Sequence, residues 1–121
     1  MYAITKYSVA TLLALALAGC ASYPPAKISG GVLVDSAGMT LYTFDKDTAN
    51  SGKSTCNGPC AALWPPVPAT GNVSGDYSVV TRDDGSKQLA YKGKPVYRYT
   101  PDQKPGDKLG DNFKDVWHMI K

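Results

Sequence analysis

The sequence contains no glutamate and a single histidine, and only 19% of its 121 residues are charged. Its 12 glycines and 9 prolines disfavour long helices, which draw on glutamate and avoid both of those residues. One histidine leaves no conventional acid–base pair, and the sequence has no hydrolase, metalloprotease or phosphate-loop motif. The 13 basic residues form no block that would bind nucleic acid. We therefore predict neither an enzyme nor a nucleic-acid partner.

The main apolar run, residues 9–18, is too short for a membrane-spanning helix, which needs roughly 20 apolar residues. It follows Lys6 and ends in Leu-Ala-Gly-Cys at residues 17–20, in the order that a signal peptide has. These four residues resemble the lipobox of bacterial lipoproteins, which implies cleavage before Cys20 and acylation of its thiol. The alternative is an ordinary secretory signal with a chance cysteine. Ala21 follows, and by the same resemblance it favours the outer membrane facing the periplasm.

We divide the chain into a signal peptide (residues 1–19), a lipidated tether (20–26) and a β-rich repeat domain (27–121). In the domain, short runs rich in β-branched and aromatic residues alternate with turn residues, which predicts a mostly β, antiparallel fold. One short helical turn is expected from Pro59 to Trp64, because proline suits the first helical position and two further prolines follow. The predicted strands, of which the first two form a hairpin, are residues 31–34, 39–44, 77–82, 88–91, 96–99 and 116–120.

An internal repeat relates the two halves of the domain at an offset of 55 residues. Each copy carries a tyrosine, a second aromatic residue and an aspartate at matching places, and a tryptophan follows each copy. In a strand the two aromatic side chains share a face, and such pairs form core packing more often than ligand platforms. We therefore expect two related hairpin or meander halves. The motif residues are Tyr42, Phe44 and Asp47 in the first copy and Tyr97, Tyr99 and Asp102 in the second.

The repeated Tyr-x-aromatic-x-x-Asp motif resembles that of a family of predicted secreted lipoproteins, a secreted repeat of unknown function. Residues 56–66, which read Cys-Asn-Gly-Pro-Cys-Ala-Ala-Leu-Trp-Pro-Pro, and the Gly-Asp loop at residues 106–107 also resemble that family. The resemblance extends over residues 31–120. It implies an envelope lipoprotein without an assigned activity, and it supplies no catalytic residues.

Cys56 and Cys60 are the cysteines that remain if Cys20 is acylated, and export places them in an oxidising compartment. The first interpretation is a disulfide, which would close a loop of about five residues and contribute roughly 2 kcal/mol. The second is a thiol-exchange pair, because thiolates are favoured near the start of a helix. The third is a soft-metal site for Cu(I), in which His118, either alone or with its neighbour Met119, would join the two sulfurs.

Two loops are rich in oxygen-bearing side chains, which Ca²⁺ prefers as ligands. Neither loop has the Asp-x-Asp-x-Asp-Gly pattern of a calcium-binding loop, and tight turns select the same residue types through side-chain to backbone hydrogen bonds. The sequence leaves both interpretations open. The residues are Asp45, Asp47 and Asn50 in the first loop and Asp102, Asp107 and Asp111 in the second.

For function, the sequence favours a non-catalytic binding or structural module of the bacterial envelope, held at the membrane by its lipid anchor, without a cofactor and with an envelope protein as a candidate partner. Packing and turn formation account for the aromatic pairs and the aspartate-rich loops without any ligand. The alternative is a periplasmic copper-binding or thiol-redox protein that uses Cys56, Cys60 and His118.

Overall fold

The computed structural model of the protein describes residues 24–121. The predicted signal peptide, the acylation site Cys20 and most of the predicted tether lie outside the described residues. As predicted, the fold is mostly β, with seven short strands in this part of the chain. The elements are β1 Ala26–Ser29, β2 Val32–Asp35, β3 Tyr42–Phe44, α1 Pro59–Leu63, β4 Tyr77–Thr81, β5 Lys87–Tyr91, β6 Lys94–Pro95, a 3-10 turn at Phe113–Asp115, and β7 Trp117–Met119.

The strands form three small antiparallel sheets, β1–β2, β3–β7 and β4–β5–β6. Isolated antiparallel bridges between single residues, such as Val34 with Thr40 and Tyr42 with Tyr97, connect these sheets. Because each sheet is small, stability has to come from packing between the sheets rather than from any one of them. No helix within residues 24–121 has the length and apolar character needed to span a bilayer.

The first hairpin differs from the predicted one. Strand β2 takes β1 as its main partner, with Ala26 opposite Asp35, and residues 39–44 do not form one continuous strand beside it. Gly30 and Gly31 both have positive φ, which suits a two-residue turn of the primed type, so the chain reverses there. Thr40 keeps a single bridge to Val34, while β3 pairs with β7 instead.

The other predicted elements match the structure with shifted ends. Helix α1 begins at Pro59 as expected, and the last strand is present as β7. The predicted strand at 96–99 is wrong in its extent, because the ladder beside β5 ends at Pro95 and Tyr97 makes only isolated bridges. Strand β1 begins at Ala26, one residue inside the predicted tether, and the Ala26 side chain is buried.

The two halves make the same backbone bonds at matching positions. In the first half the Leu41 N–H donates to the Leu33 carbonyl at 3.0 Å; in the second the Val96 N–H donates to the Leu89 carbonyl at 3.1 Å. The two donors lie 55 residues apart, which is the offset of the repeat in the sequence. The repeat is therefore structural as well as sequential.

The core has two parts, and both halves of the domain contribute to each. The aliphatic part fixes the β1–β2 and β4–β5 hairpins against each other, and the aromatic part packs around β3 and β7. Burial of these side chains supplies the main favourable term in folding. The aliphatic part consists of Ala26, Leu33, Leu41, Val67, Leu89 and Val96. The aromatic part consists of Tyr42, Phe44, Cys56, Trp64, Tyr97, Tyr99 and Trp117.

Candidate functional site

The first tyrosines of the two motif copies, Tyr42 and Tyr97, meet at the centre of the domain. The Tyr42 N–H donates to the Tyr97 carbonyl at 2.8 Å, and the Tyr97 N–H donates to the Tyr42 carbonyl at 2.9 Å. Both residues are fully buried. Such a reciprocal pair of bonds is what two antiparallel, two-fold related segments form where they cross. The repeat axis therefore passes between these two residues.

The first tyrosine of each motif copy donates to the motif aspartate of the other half. The Tyr42 hydroxyl donates to Asp102 Oδ2 at 2.6 Å, and the Tyr97 hydroxyl donates to Asp47 Oδ2 at 2.5 Å. All four side chains are buried. We call these two bonds the reciprocal clasp. Charge-assisted hydrogen bonds of this kind are stronger than neutral ones, so the clasp holds the two halves together.

The second carboxylate oxygen of each clasp aspartate orders a loop. Asp47 Oδ1 accepts from the Thr55 N–H at 2.7 Å, and Asp102 Oδ1 accepts from the Leu109 N–H at 2.9 Å. Each aspartate thus joins its own loop to the tyrosine of the opposite half. Among the described residues no buried side-chain nitrogen or oxygen lacks a hydrogen-bond partner, so each clasp oxygen already has a partner within the protein.

The clasp hydroxyls are held in their neutral form. Burial raises the pKa of Tyr42 and of Tyr97 well above the ordinary tyrosine value, and the hydrogen bond to the opposite carboxylate raises each pKa further. A tyrosinate in either place would face a buried carboxylate and lose its donor proton. The clasp therefore needs both tyrosines protonated.

The remaining motif aromatics form a continuous stack with the two tryptophans. Phe44 stacks on Trp117 with 4.2 Å between ring centroids, Trp117 on Trp64 with 3.8 Å, and Trp64 on Tyr99 with 4.1 Å. The two outer rings, Phe44 and Tyr99, thus each pack on the tryptophan of the opposite half. In the same way, each clasp tyrosine donates to the aspartate of the opposite half. We call these four rings the ring column. Stacked pairs of this kind add stability beyond the area that they bury.

The aspartate-rich loops use their carboxylates for internal hydrogen bonds. Asp107 accepts from the backbone N–H groups of Gln103 and Lys104, and Asp111 accepts from the Met119 N–H at 3.0 Å. Asp45, Asp47 and Asp102 also bond to protein groups, and Asn50 contributes a backbone bond. Within residues 24–121 no three histidine, cysteine, aspartate or glutamate side chains form a group that could hold a metal ion. The backbone hydrogen bonds of Asp107 and Asp111 are of the kind that tight turns select.

The structure joins Cys56 and Cys60 in a disulfide. It does not bring His118 to them as the copper hypothesis requires. The two ring nitrogens of His118 instead lie 3.0 Å from Asn112 Oδ1 and 2.9 Å from Asp45 Oδ2. A Cu(I) site would need free thiolates, which a disulfide does not offer.

Arg82 is a buried cation that the sequence reading missed. It is 5% exposed, and its guanidinium donates to four neutral acceptors. The period of two along a strand places Arg82 on the same face as the buried Val80, which is the signal that could have identified it. The acceptors are Ser54 Oγ at 3.0 Å, Gln88 Oε1 at 2.7 Å, the Cys56 carbonyl at 2.5 Å and Asn57 Oδ1 at 3.2 Å.

A chain of hydroxyls connects Arg82 to the clasp. Ser54 Oγ accepts from Arg82 and lies 2.6 Å from the Tyr97 hydroxyl, whose own proton goes to Asp47. Ser54 must therefore donate to Tyr97. The buried cation and the buried carboxylate are thus linked through two hydroxyls whose bonds all run in one direction, and such networks reinforce each member.

An apolar groove of about 390 Å³ lies beside the ring column, where the two halves meet. We call it the aromatic groove. Its floor contains the buried ring edges of Trp64 and Trp117, and its walls include the exposed Leu63 and the disulfide at Cys60. Both halves therefore contribute residues to the groove, and ligand-binding sites often lie at such interfaces between packed units. Its full lining is Phe44, Lys46, Cys60, Leu63, Trp64, Phe113, Lys114, Val116 and Trp117.

Comparison with known proteins identifies the family. The profile of a family described as a secreted repeat of unknown function matches the chain twice, at residues 27–68 and 78–121. These two matches are the two halves that the clasp joins. No curated protein and no solved structure gives a significant match. The two matches cover most of the chain, which therefore belongs to this family of secreted repeats of unknown function.

Proposed function

We propose that the protein is a lipid-anchored, non-catalytic module of the bacterial envelope, and that it binds a partner through the aromatic groove. One observation carries the proposal: the reciprocal clasp uses Tyr42, Tyr97 and both motif aspartates for internal bonds. The repeated motif is then the device that builds the domain, and recognition falls to the surface around it. The groove is an apolar part of that surface to which both halves contribute, and it borders the ring column directly.

The expected lipid anchor would keep this surface close to the membrane. Cys20 precedes the first residue of β1, Ala26, by six positions, and an extended chain covers about 3.5 Å per residue. The anchored sulfur would lie within about 20 Å of the folded domain. Attachment of this kind, with several acyl chains, is effectively permanent. A short tether and a rigid domain suit a protein that acts at the envelope surface.

The copper-handling alternative has no support among the described residues. Its two sulfurs are bonded to each other, and its histidine is occupied by Asp45 and Asn112. We therefore do not propose it as a second function. Its thiol-redox variant rests on the disulfide itself and is taken up below.

Site-specific photo-cross-linking in intact cells tests the binding proposal. A cross-linking amino acid replaces Leu63, which is 38% exposed in the groove, or Val79, which is 42% exposed on β4. The two positions are matched in exposure and differ in place. We expect a discrete adduct from position 63 and none from position 79. Equal adducts from both, or none from position 63, would contradict the groove as the binding surface.

The anchor is tested separately by fractionation and mass spectrometry. The wild-type protein should sediment with the membranes and begin at an acylated Cys20, whereas Cys20→Ser should release it or block its processing. An unacylated N-terminus at any other residue would contradict the anchor and leave the cross-linking result to stand by itself.

A further inference from the structure

The disulfide forms part of the wall of the aromatic groove, and its two cysteines differ in exposure. Cys56 is fully buried in the aromatic core, whereas Cys60 lines the groove and is partly exposed. A small molecule in the groove therefore meets the Cys60 side of the bond. In thiol–disulfide exchange the sulfur that is reached is the one attacked, and the other sulfur leaves.

The second half builds the matching loop without a disulfide. Cys60 stands four residues before Trp64, and in the second half Phe113 stands four residues before Trp117. There the matching loop is closed without a covalent bond, through Phe113 packing at 5.7 Å between its ring centroid and that of Trp64. The two halves have matching residues in the clasp and in the ring column but not at the disulfide. The disulfide is therefore a feature of the first half alone.

Two cations also line the groove without a counterpart at the matching position of the other half. Lys46 and Lys114 line it and are exposed, and neither forms an ion pair with another residue in the stretch 24–121. Lys46 immediately precedes the clasp aspartate of its half, and the matching position in the second half holds Pro101. Lys114 lies three residues before the tryptophan of its half, and the matching position in the first half holds Ala61. The groove thus combines an apolar wall with two unmatched positive charges, which complement an anionic ligand.

Arg82 supplies a third positive charge, on the buried side of the disulfide. Its guanidinium binds the Cys56 carbonyl and donates only to neutral acceptors. The carboxylates that its hydrogen-bond network reaches are Asp83, through the Asn57 amide, and Asp47, through two hydroxyls. Buried cations are ordinarily paired directly with an anion. A thiolate on Cys56 would provide such an anion within the residue that Arg82 already binds.

From these placements we propose that the aromatic groove admits a small anionic thiol, which exchanges with the Cys56–Cys60 disulfide. The proposal rests on the proposed function, since it names the ligand class of the same groove. The incoming thiolate forms a bond to the Cys60 sulfur, the bond between the two protein sulfurs breaks, and its electron pair leaves with Cys56, which becomes a thiolate. A second thiolate then attacks the bound thiol's sulfur, releasing a symmetrical disulfide and leaving both cysteines reduced. Two electrons pass from the two thiols to the protein.

Exchange rates with thiols of different charge test the proposal. The whole protein in detergent is treated with mercaptoethanesulfonate, mercaptoethanol or cysteamine, quenched with acid and followed by mass spectrometry. Each rate is divided by the thiolate concentration and by the rate at which the same thiol reacts with a small neutral disulfide. This removes differences in the intrinsic reactivity of the three thiols. We expect the anionic thiol to react about tenfold faster than cysteamine on this scale at low salt, with the preference falling as salt is added.

Charge variants identify the groove as the source of the preference. The double variant Lys46→Ala, Lys114→Ala should lose the preference for the anionic thiol. Lys27→Ala with Lys87→Ala, which changes the net charge equally at exposed positions outside the groove lining, should leave it intact. Equal normalised rates for the three thiols, an unchanged preference in the groove variant, or rates independent of thiol concentration would overturn the proposal. Cross-linking from position 63 does not depend on these rates, so the two proposals fail separately.

The site of attack gives a second readout. Peptide mapping of the mixed disulfide trapped at early times should place the external thiol on Cys60. Arg82→Gln should slow the exchange more than Arg82→Lys does, with circular dichroism confirming that both variants are folded. A mixed disulfide on Cys56, or equal rates in the two folded variants, would contradict the assigned roles.

Discussion

The hydroxyl of Tyr42, in the first half of the domain, donates to the carboxylate of Asp102, in the second half, at 2.6 Å. The partner bond from Tyr97 to Asp47 runs the other way. Neither copy of the motif is complete by itself, because each tyrosine finds its aspartate 50 or more residues away. The two halves should therefore depend on each other for folding.

Separated halves test this dependence. The cut falls between Asn72 and Val73, in the exposed segment before β4. Fragments 24–72 and 73–121 should each be unfolded alone, because each would leave its clasp groups and half of the ring column exposed. Mixing them should restore the near-ultraviolet circular dichroism of the stacked tryptophans. A fragment that folds cooperatively alone, or a mixture that stays unfolded, would contradict the clasp as the joining element.

The sequence predicts the class of fold and the internal repeat because both depend on local patterns. The alternation of aromatic and polar residues is a property of single strands, and the repeat is visible at a fixed offset. The sequence did not predict the partners of the strands. The two-glycine turn at Gly30 and Gly31 is a local signal for the β1–β2 hairpin, but β3 pairs with β7 across 75 residues, which no local pattern specifies.

The exchange of partners between the halves could not be predicted for the same reason. Within one motif copy, Tyr42 and Asp47 are five residues apart, so a local pairing is the simpler expectation. The axis between Tyr42 and Tyr97 directs each tyrosine to the opposite half instead. Arg82 was overlooked because a charged residue beside a turn is ordinarily exposed, and its burial depends on acceptors from a distant loop.

Alkaline titration tests the state of the clasp tyrosines. The folded state raises the pKa of Tyr42 and Tyr97 above the value of about 10 that tyrosine has in the unfolded chain. The stabilisation from their neutral form is therefore complete below about pH 10 and is lost as the pH rises toward the folded-state pKa. We expect two tyrosines to ionise, by ultraviolet absorbance, only as the protein unfolds.

The variant Tyr97→Phe provides the control for this titration. This variant should lose one of the two tyrosines that ionise only as the protein unfolds. The titration of the other tyrosines should be unchanged. Ionisation of all tyrosines in a single step near the ordinary value, with circular dichroism unchanged, would show that the clasp hydroxyls are not protected.

Reduction of the disulfide should weaken the domain without unfolding it. The bond closes a loop of about five residues, for which chain entropy gives about 2 kcal/mol, and the clasp and ring column do not depend on it. For a domain of this size the midpoint of thermal unfolding should fall by about 10 °C. Loss of the near-ultraviolet signal at room temperature on reduction would show instead that the disulfide holds the whole fold.

A double-mutant cycle on the clasp tests the central claim, that the repeated motif joins the halves by exchanging partners. The free energy of unfolding is measured for Tyr42→Phe, Asp102→Asn and their combination, and again with Asp47→Asn in place of Asp102→Asn. The clasp geometry predicts a coupling of about 2 kcal/mol between Tyr42 and Asp102, as for a buried hydrogen bond to a charged group. It predicts a coupling below about 0.5 kcal/mol between Tyr42 and Asp47, which share a motif copy but no bond. Equal couplings, or the larger one within the motif copy, would contradict it.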